Sequence, residues 1–413
     1  MRFTGQACDG RAMTLVPGIT IRTATDDDAA AIELLLSVCF GFGYEPPGTD
    51  PREPVFPPGG ALVAVDGARV VGHCNSMTMT VTVPGGRPVS ACGIAAVGVA
   101  PSHRRRGILR ALYTEQHRRV EDARLPLTIF TASRATIYGR FGYGAVTSMN
   151  HVTVDRRFAE FRTGAPDPGG ATIAVPGDVA DRIEEIYDRW RRITPGAQVR
   201  PPTSWAQLFY DHPNWRDGGS SHLALLHADG YALYRYVTRG HEKHVRVTEF
   251  RAVTDDAHAA LWRCLLGLDL VTEIEAELPD NDPLPYLLTD SRLVRTVGRT
   301  DGCWLRLMDV PAALAARTYA RDLELVLGVT DPFREAGGRF ALTVRDGVAD
   351  CAPTTREPDV ELGIDVLGSL YLGAHRAEPF AAARRLRAAT PELVRAVTEA
   401  FGAVRDAQLG WFF

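Results

Sequence analysis

The chain has 413 residues, enough for two or three domains at roughly 150 residues each. Its residues are 45% hydrophobic and 23% charged, which allows a sizeable core and excludes a wholly disordered chain. A formal net charge of −4 excludes a global basic field for nucleic acid or an anionic membrane surface.

Residues 1–17 read as a flexible leader; the first twelve carry no periodicity, and Met13 is an alternative start. A strand over 19–22 meets Thr25-Asp26-Asp27-Asp28, a cap and acidic first turn that predict a helix over 29–40. The Pro/Gly-rich stretch 44–60 must be a loop. Strands over 61–65 and 69–83 join through Asp66-Gly67, a hairpin signal. A strand over 89–100 precedes a helix over 104–124, in which Ile108, Leu109, Leu112, Tyr113 and Val120 recur at helical spacing. His117 falls mid-helix and is expected at the surface. A strand (127–131), a short helix (136–141) and a closing strand (145–154) complete a first α/β domain over 18–163. The linker GAPDPGG opens a second region, 164–305, whose order partly repeats the first. It has a helix (178–192), a hairpin through 227–230, a strand (245–253), a helix capped at Thr254 and a strand (271–278). The third region, 306–413, reads as a helix, hairpins near 340–351 and two Ala/Arg/Leu-rich helices between 365 and 404. It ends on the apolar Trp411-Phe412-Phe413. The fold class is therefore α/β, with α+β mixed sheets.

Seven cysteines, scattered and without a CxxC pair, argue for a reducing compartment and against a disulfide framework or structural zinc. No segment resembles a signal peptide or a run of about 18 apolar residues, so a cytoplasmic protein is expected. His241 and His244 beside Glu242 read as an exposed strand end, and no metal site is expected.

Chemistry concentrates where the strand through Val97, Gly98 and Val99 ends at Pro101 and a basic turn, Arg104-Arg105-Arg106-Gly107, opens into the helix at Ile108, Leu109 and Arg110. Unpartnered N–H groups and the dipole at a helix start favour an anion, by about 0.3–1 kcal/mol from the dipole alone. Gly107 lets the backbone approach closely, and the arginines can reach phosphate oxygens. This arrangement suits a diphosphate. His103 lies in the same turn, as a cap or a ligand neighbour.

The turn resembles the acetyl-coenzyme-A motif of the GCN5-related N-acetyltransferases (GNAT), R/Q-x-x-G-x-G/A, with Leu109 in place of the final small residue. Val97-x-Val99-Ala100-Pro101-x-His103-Arg104-Arg105-Arg106-Gly107, Ile137 to Gly144, Val154 to Arg157, Gly230 to Arg235, Asp282 to Asp290, Leu367 to Ala377 and the terminal Phe together resemble the Eis (enhanced intracellular survival) family. The resemblance runs from about Met13 to Phe413. It implies two tandem GNAT-type domains, only the first binding cofactor, then a sterol-carrier-protein-like domain, assembled as a homohexamer. It implies acetyl-CoA as cosubstrate. Val97, Gly98 and Val99 would hold the pantetheine arm, Arg105 to Arg110 the pyrophosphate, and Ser133 and Arg134 further parts of the cofactor. Arg134 stands where the family often has an acidic residue. Tyr138 is implied as general acid, and the main-chain carboxylate of Phe413 as general base.

Phe412 takes the place of an acidic residue common just before the terminal Phe, and Phe40 and Phe42 are aromatic where an acid is expected. A pocket lined this way predicts a primary amine less cationic or more apolar than an aminoglycoside; Glu45, Asp50 and Glu53 are acids that could compensate. Two other readings stay open: a protein lysine acetyltransferase, and a non-enzymatic protein that binds an apolar ligand through its last domain.

Overall fold

A computed structural model describes residues 13–16, 18–44, 59–334 and 337–413. Strand β1 (Met13–Val16), placed in the leader from sequence, pairs antiparallel with β2 (Ile19–Thr23); Gly18, at φ +75°, supplies the left-handed backbone between them. The rest of the leader, and Glu45, Asp50 and Glu53, lie outside the described residues. Helix α1 (Ala29–Phe40) starts where Asp28 accepts from the Thr25 N–H at 2.8 Å. Arg22 holds both oxygens of that carboxylate, at 2.6 and 2.8 Å, and keeps its pKa down at about 2.

Strands β3 (Ala61–Asp66), β4 (Arg69–Thr82) and β5 (Pro88–Val99) form an antiparallel meander. Helix α2 (Ile108–Asp122) begins later than the Arg104 expected, because Arg105 (φ +64°) and Gly107 (φ +83°) leave the helical region. His117 is only 1% exposed, a correction to the surface position expected: its Nε2 lies 2.9 Å from the Tyr143 hydroxyl. The buried stripe of α2 includes Gln116 and His117 as well as its apolar positions, so apolar spacing alone understates it. Next come β6 (Leu127–Thr131), α3 (Ala135–Tyr138) and β7 (Gly144–Ala145).

Strand β8 (Ser148–Asp155) does not close the first sheet, as its position in sequence suggested. It enters a second sheet, between two strands made much later. That region comprises β9 (Thr172–Ala174), α4 (Ala180–Ile193), α5 (Pro202–Tyr210), β10 (Leu223–His227), β11 (Gly230–Arg239), β12 (Glu242–Ala252) and α6 (Asp255–Leu266). It continues through β13 (Glu273–Leu278), α7 (Leu284–Leu287) and β14 (Val294–Asp301). Its strand order is β14-β8-β13-β12-β11-β10-β9. Val152 and Val154 of β8 pack into the core beneath α6, with Trp262 and Leu265.

The exchange is reciprocal. Strand β15 (Cys303–Leu307) returns to the first sheet, whose order is β1-β2-β3-β4-β5-β6-β15-β7. All five of its residues are buried, as expected of a strand covered on both faces.

The third region has α8 (Val310–Ala316), β16 (Leu323–Thr330), β17 (Gly338–Arg345), β18 (Val348–Pro353), β19 (Val360–Gly363) and α9 (Ile364–Leu370). It ends with α10 (Ala377–Ala382), β20 (Leu386–Ala388) and α11 (Pro391–Phe401). Three helices stand where two were expected, because Gly373 (φ +80°) and Arg384 (φ +57°) interrupt the pattern. The sheet order is β18-β17-β16-β19-β20. Its apolar side chains and those of the first sheet form one core: Leu325, Leu342 and Leu367 share a cluster with Val81, Ile129 and Leu305. Arg306 and Asp331, both buried, pair across this junction. Among the described residues, no helix is long and apolar enough to cross a membrane.

Candidate functional site

Strands β5 and β6 run parallel through three residue pairs only, Ala91↔Leu127, Cys92↔Thr128 and Gly93↔Ile129. Beyond them β5 bulges, with Ala96 at φ +50° and the register against β4 shifting between His73 and Asn75. The end of β6 turns its other edge to β15. Among the described residues, no strand therefore pairs with the β6-facing edge of β5 past Gly93, and the backbone of Val97, Gly98 and Val99 lines an open wedge. Glycine at 98 lets α1 pack closely: a Cβ there would sit 3.1 Å from the Cys39 sulfur, a tight contact.

At the mouth of the wedge the turn from Arg104 to Gly107 leads into α2, and among the described residues no side chain caps that helix. Arg104, Arg105, Arg106 and Arg110 are exposed around it. Arg110 lies over the Phe333 ring at 5.2 Å. His103 is buried, with Nε2 3.1 Å from Asp66 and Nδ1 2.8 Å from the Ser102 hydroxyl. It anchors the turn to the β3–β4 hairpin, so both ring nitrogens are engaged. The His103 hydrogen bond holds the Asp66 carboxyl below its ordinary range. The wedge and the turn together offer backbone partners for an extended amide chain and an anion site at its end.

Ser133 and Arg134 follow β6 and are exposed; Tyr138 ends α3 and is buried, its ring 4.3 Å from that of Phe130. Burial pushes the Tyr138 phenol above its ordinary value, opposed by a hydrogen bond with Ser133. The chain terminus comes to the same strand end. The Thr131 hydroxyl donates to a main-chain oxygen of the terminal Phe413 at 3.1 Å, across 282 positions of sequence. Phe413 and Trp411 pack on the shared core, ring centroids 5.4 Å apart.

Beside this point opens a cavity of about 490 Å³, lined by Thr131 at the end of β6, by Ala132 after it, by residues 409–412 and by the second sheet. Phe412 lies on its wall. Phe40 and Phe42 do not line it: they stack on each other, about half exposed, at the end of α1. The wall also carries Glu249, Glu277 and Asp301, which sequence reasoning missed. The only signal for them would have been the cross-strand register of the second sheet. Glu249 is committed to Arg200 at 2.9 Å, and the Asp301 carboxylate accepts from the Trp304 indole. Glu277 lies 3.4 Å from His151 and is largely exposed.

His244 is 8% exposed, whereas the sequence suggested an exposed strand end. It faces Glu273 and Glu275 on the neighbouring strand, their ligand atoms within 4.8 Å of one another. Arg239 and Arg246 already occupy both oxygens of Glu275.

Comparison with known proteins agrees with this architecture. Family models for an acetyltransferase (GNAT) domain match residues 20–146 and, separately, 196–307; one for a sterol carrier protein domain matches 310–409. The N-acetyltransferase Eis of Mycobacterium tuberculosis is 45% identical over 406 residues, covering 96% of this chain and 100% of that one. An uncharacterized N-acetyltransferase of Streptomyces avermitilis is 36% identical over 81% of this chain and 85% of its own. The crystal structure of Eis1 from Mycobacterium abscessus superposes with a TM-score of 0.85 at 31% identity, covering 96% of this chain and 100% of that one.

Proposed function

Because the chain belongs to the Eis family of GNAT N-acetyltransferases, we propose that it moves the acetyl group of acetyl-CoA directly to a primary amine of a small molecule. Tyr138 is the general acid and the Phe413 main-chain carboxylate the general base. The observation that carries this reading is the Thr131–Phe413 hydrogen bond, which brings the last residue of the third region to the end of β6, two residues before Ser133.

Acetyl-CoA supplies the activated thioester. The chain's own groups do the rest. The free edge at Val97, Gly98 and Val99 would bind the amides of the pantetheine arm. The N–H groups from Arg105 through Gly107, Ile108, Leu109 and Arg110, with the guanidinium groups of Arg105, Arg106 and Arg110, would hold the pyrophosphate. Ser133 and Arg134 flank the same edge. The Tyr138 phenol, raised by burial, stays protonated at neutral pH and can donate to the departing thiolate. The terminal carboxylate takes a proton from the attacking amine. Glu277 and Asp301 give that amine anionic neighbours, and Phe412 gives it an apolar one. The acceptor is thus a cationic amine bearing an apolar portion.

Replacing Tyr138 by Phe, or extending the chain by one residue past Phe413, should lower kcat by about 100-fold or more. Acetyl-CoA binding, read by calorimetry, should persist in both. Undiminished turnover in either variant removes that group from the mechanism.

A further inference from the structure

The second GNAT-type region grips the chain terminus. Gln198, fully buried, accepts from the N–H groups of Gly410 at 3.0 Å and Trp411 at 3.3 Å. The carbonyl of Gly410 accepts from Arg251 at 2.8 Å and from Arg200 at 3.4 Å. Both polar groups of one backbone residue are therefore held. The two arginines share one buried carboxylate, Glu249, which also accepts from the Tyr231 hydroxyl. Burial pushes Glu249 up, but the two guanidinium charges outweigh this and keep it below its ordinary range. One anion against two cations leaves a surplus positive charge, and it is turned toward the Gly410 carbonyl. Aromatic rings fix the arginines in place: Arg251 lies 4.2 Å over Trp190, and Arg200 lies 4.3 Å over Trp205.

The site also selects its residue. A Cβ at Gly410 would fall 2.7 Å from Gln198 Oε1 and would clash with the Tyr187 hydroxyl. Trp411 adds a hydrogen bond from its indole to the Val199 carbonyl at 3.2 Å. Only three residues separate Gly410 from the terminal carboxylate. A slip of one residue would carry that carboxylate roughly 3.3–3.6 Å, more than a hydrogen-bond length.

We propose that Gln198, Arg200, Glu249 and Arg251 form a clamp that sets the register of the last four residues, so that the second region serves as a positioning element for the terminal carboxylate. The proposal rests on the reading of Phe413 as general base. The positioning residues act through the tail.

The test uses the full-length chain with Gly410→Ala, which alters the tail side, and Arg251→Met, which alters the clamp side, with Arg251→Lys as the conservative control. Two quantities are read: release of Phe413 by carboxypeptidase A, and the pH dependence of kcat. Misplacement by this distance should lower kcat at neutral pH by about 10²-fold, with KM for acetyl-CoA unchanged. Phe413 should be released at least about tenfold faster in both variants, and Arg251→Lys should recover part of each property. The kcat deficit should narrow as pH approaches the acceptor's own pKa, where the amine arrives already neutral. Wild-type rates of release in both variants would overturn the clamp. Faster release with unchanged kcat would keep the clamp and remove the carboxylate from catalysis, so the two failures are separable. Should Arg251→Met not fold, Gly410→Ala still decides, because it lies beyond the last helix and outside the sheet.

Discussion

His222, just ahead of β10, is a largely buried imidazole whose Nε2 must accept, while its Nδ1 faces the Asp211 carboxylate at 3.3 Å. Arg235 donates to its Nε2, and Thr248 lies 3.0 Å from the same atom. Burial, with the Arg235 charge, takes its pKa from the ordinary 6.5 down to about 4, although Asp211 pulls the other way. Above pH 6.5 the ring is neutral in folded and unfolded chains alike, and its contribution is fully present. As pH falls from 6.5 toward 4 the unfolded chain takes up the proton first, so stability declines across that window by about 3 kcal/mol at most. His222→Gln should flatten this part of the profile, measured as urea midpoints at pH 7.5 and pH 4.5; an identical slope would mean that other groups carry it. Single residues also differ in how far their sequence context betrays them. Tyr138 and the arginine turn are readable because their partners are a few residues away. Glu277 and Asp301 reach the cavity only through strand pairings between distant segments, which no local pattern encodes.

The strand–turn–helix at Val97 to Asp122 carries its conformation in two left-handed residues, Arg105 and Gly107. Alanine at 107 should cost about 1 kcal/mol in that conformation. Because the cost falls on the turn rather than on the core, acetyl-CoA affinity should drop about fivefold by calorimetry, with little change in Tm. Unaltered affinity would place the pyrophosphate elsewhere. Helical spacing located α2 but overran its start. The apolar positions begin only at Ile108, and an arginine run has no propensity against helix, so the break depends on φ values that residue type does not reveal at Arg105. Strand β15 went unrecognised for a different reason. Buried on both faces, it lacks the alternation that marks a half-exposed strand.

The first two sheets are interleaved rather than strung in sequence, whereas the third takes only consecutive strands. β8 belongs to the second sheet, β15 to the first, and the apolar face of the third region is spent on the core it shares with the first sheet. Residues 13–155 alone lack β15 between β6 and β7, and they expose Val81, Leu127 and Ile129. Such a fragment should show no cooperative thermal transition and no near-ultraviolet circular dichroism. A sharp transition would mean that the first sheet closes without its late strand. The family resemblance made the three-part plan readable, while the exchange of strands between parts stayed hidden, since nothing in a short hydrophobic run says which sheet it joins. The same exchange bears on synthesis. A ribosome must deliver Leu307 before the amino-terminal sheet can be completed, so the usual order of maturation, first-made part first, is closed to this polypeptide. Until then its nascent edge at β6 is an unprotected template, a period in which chaperone capture competes with self-association.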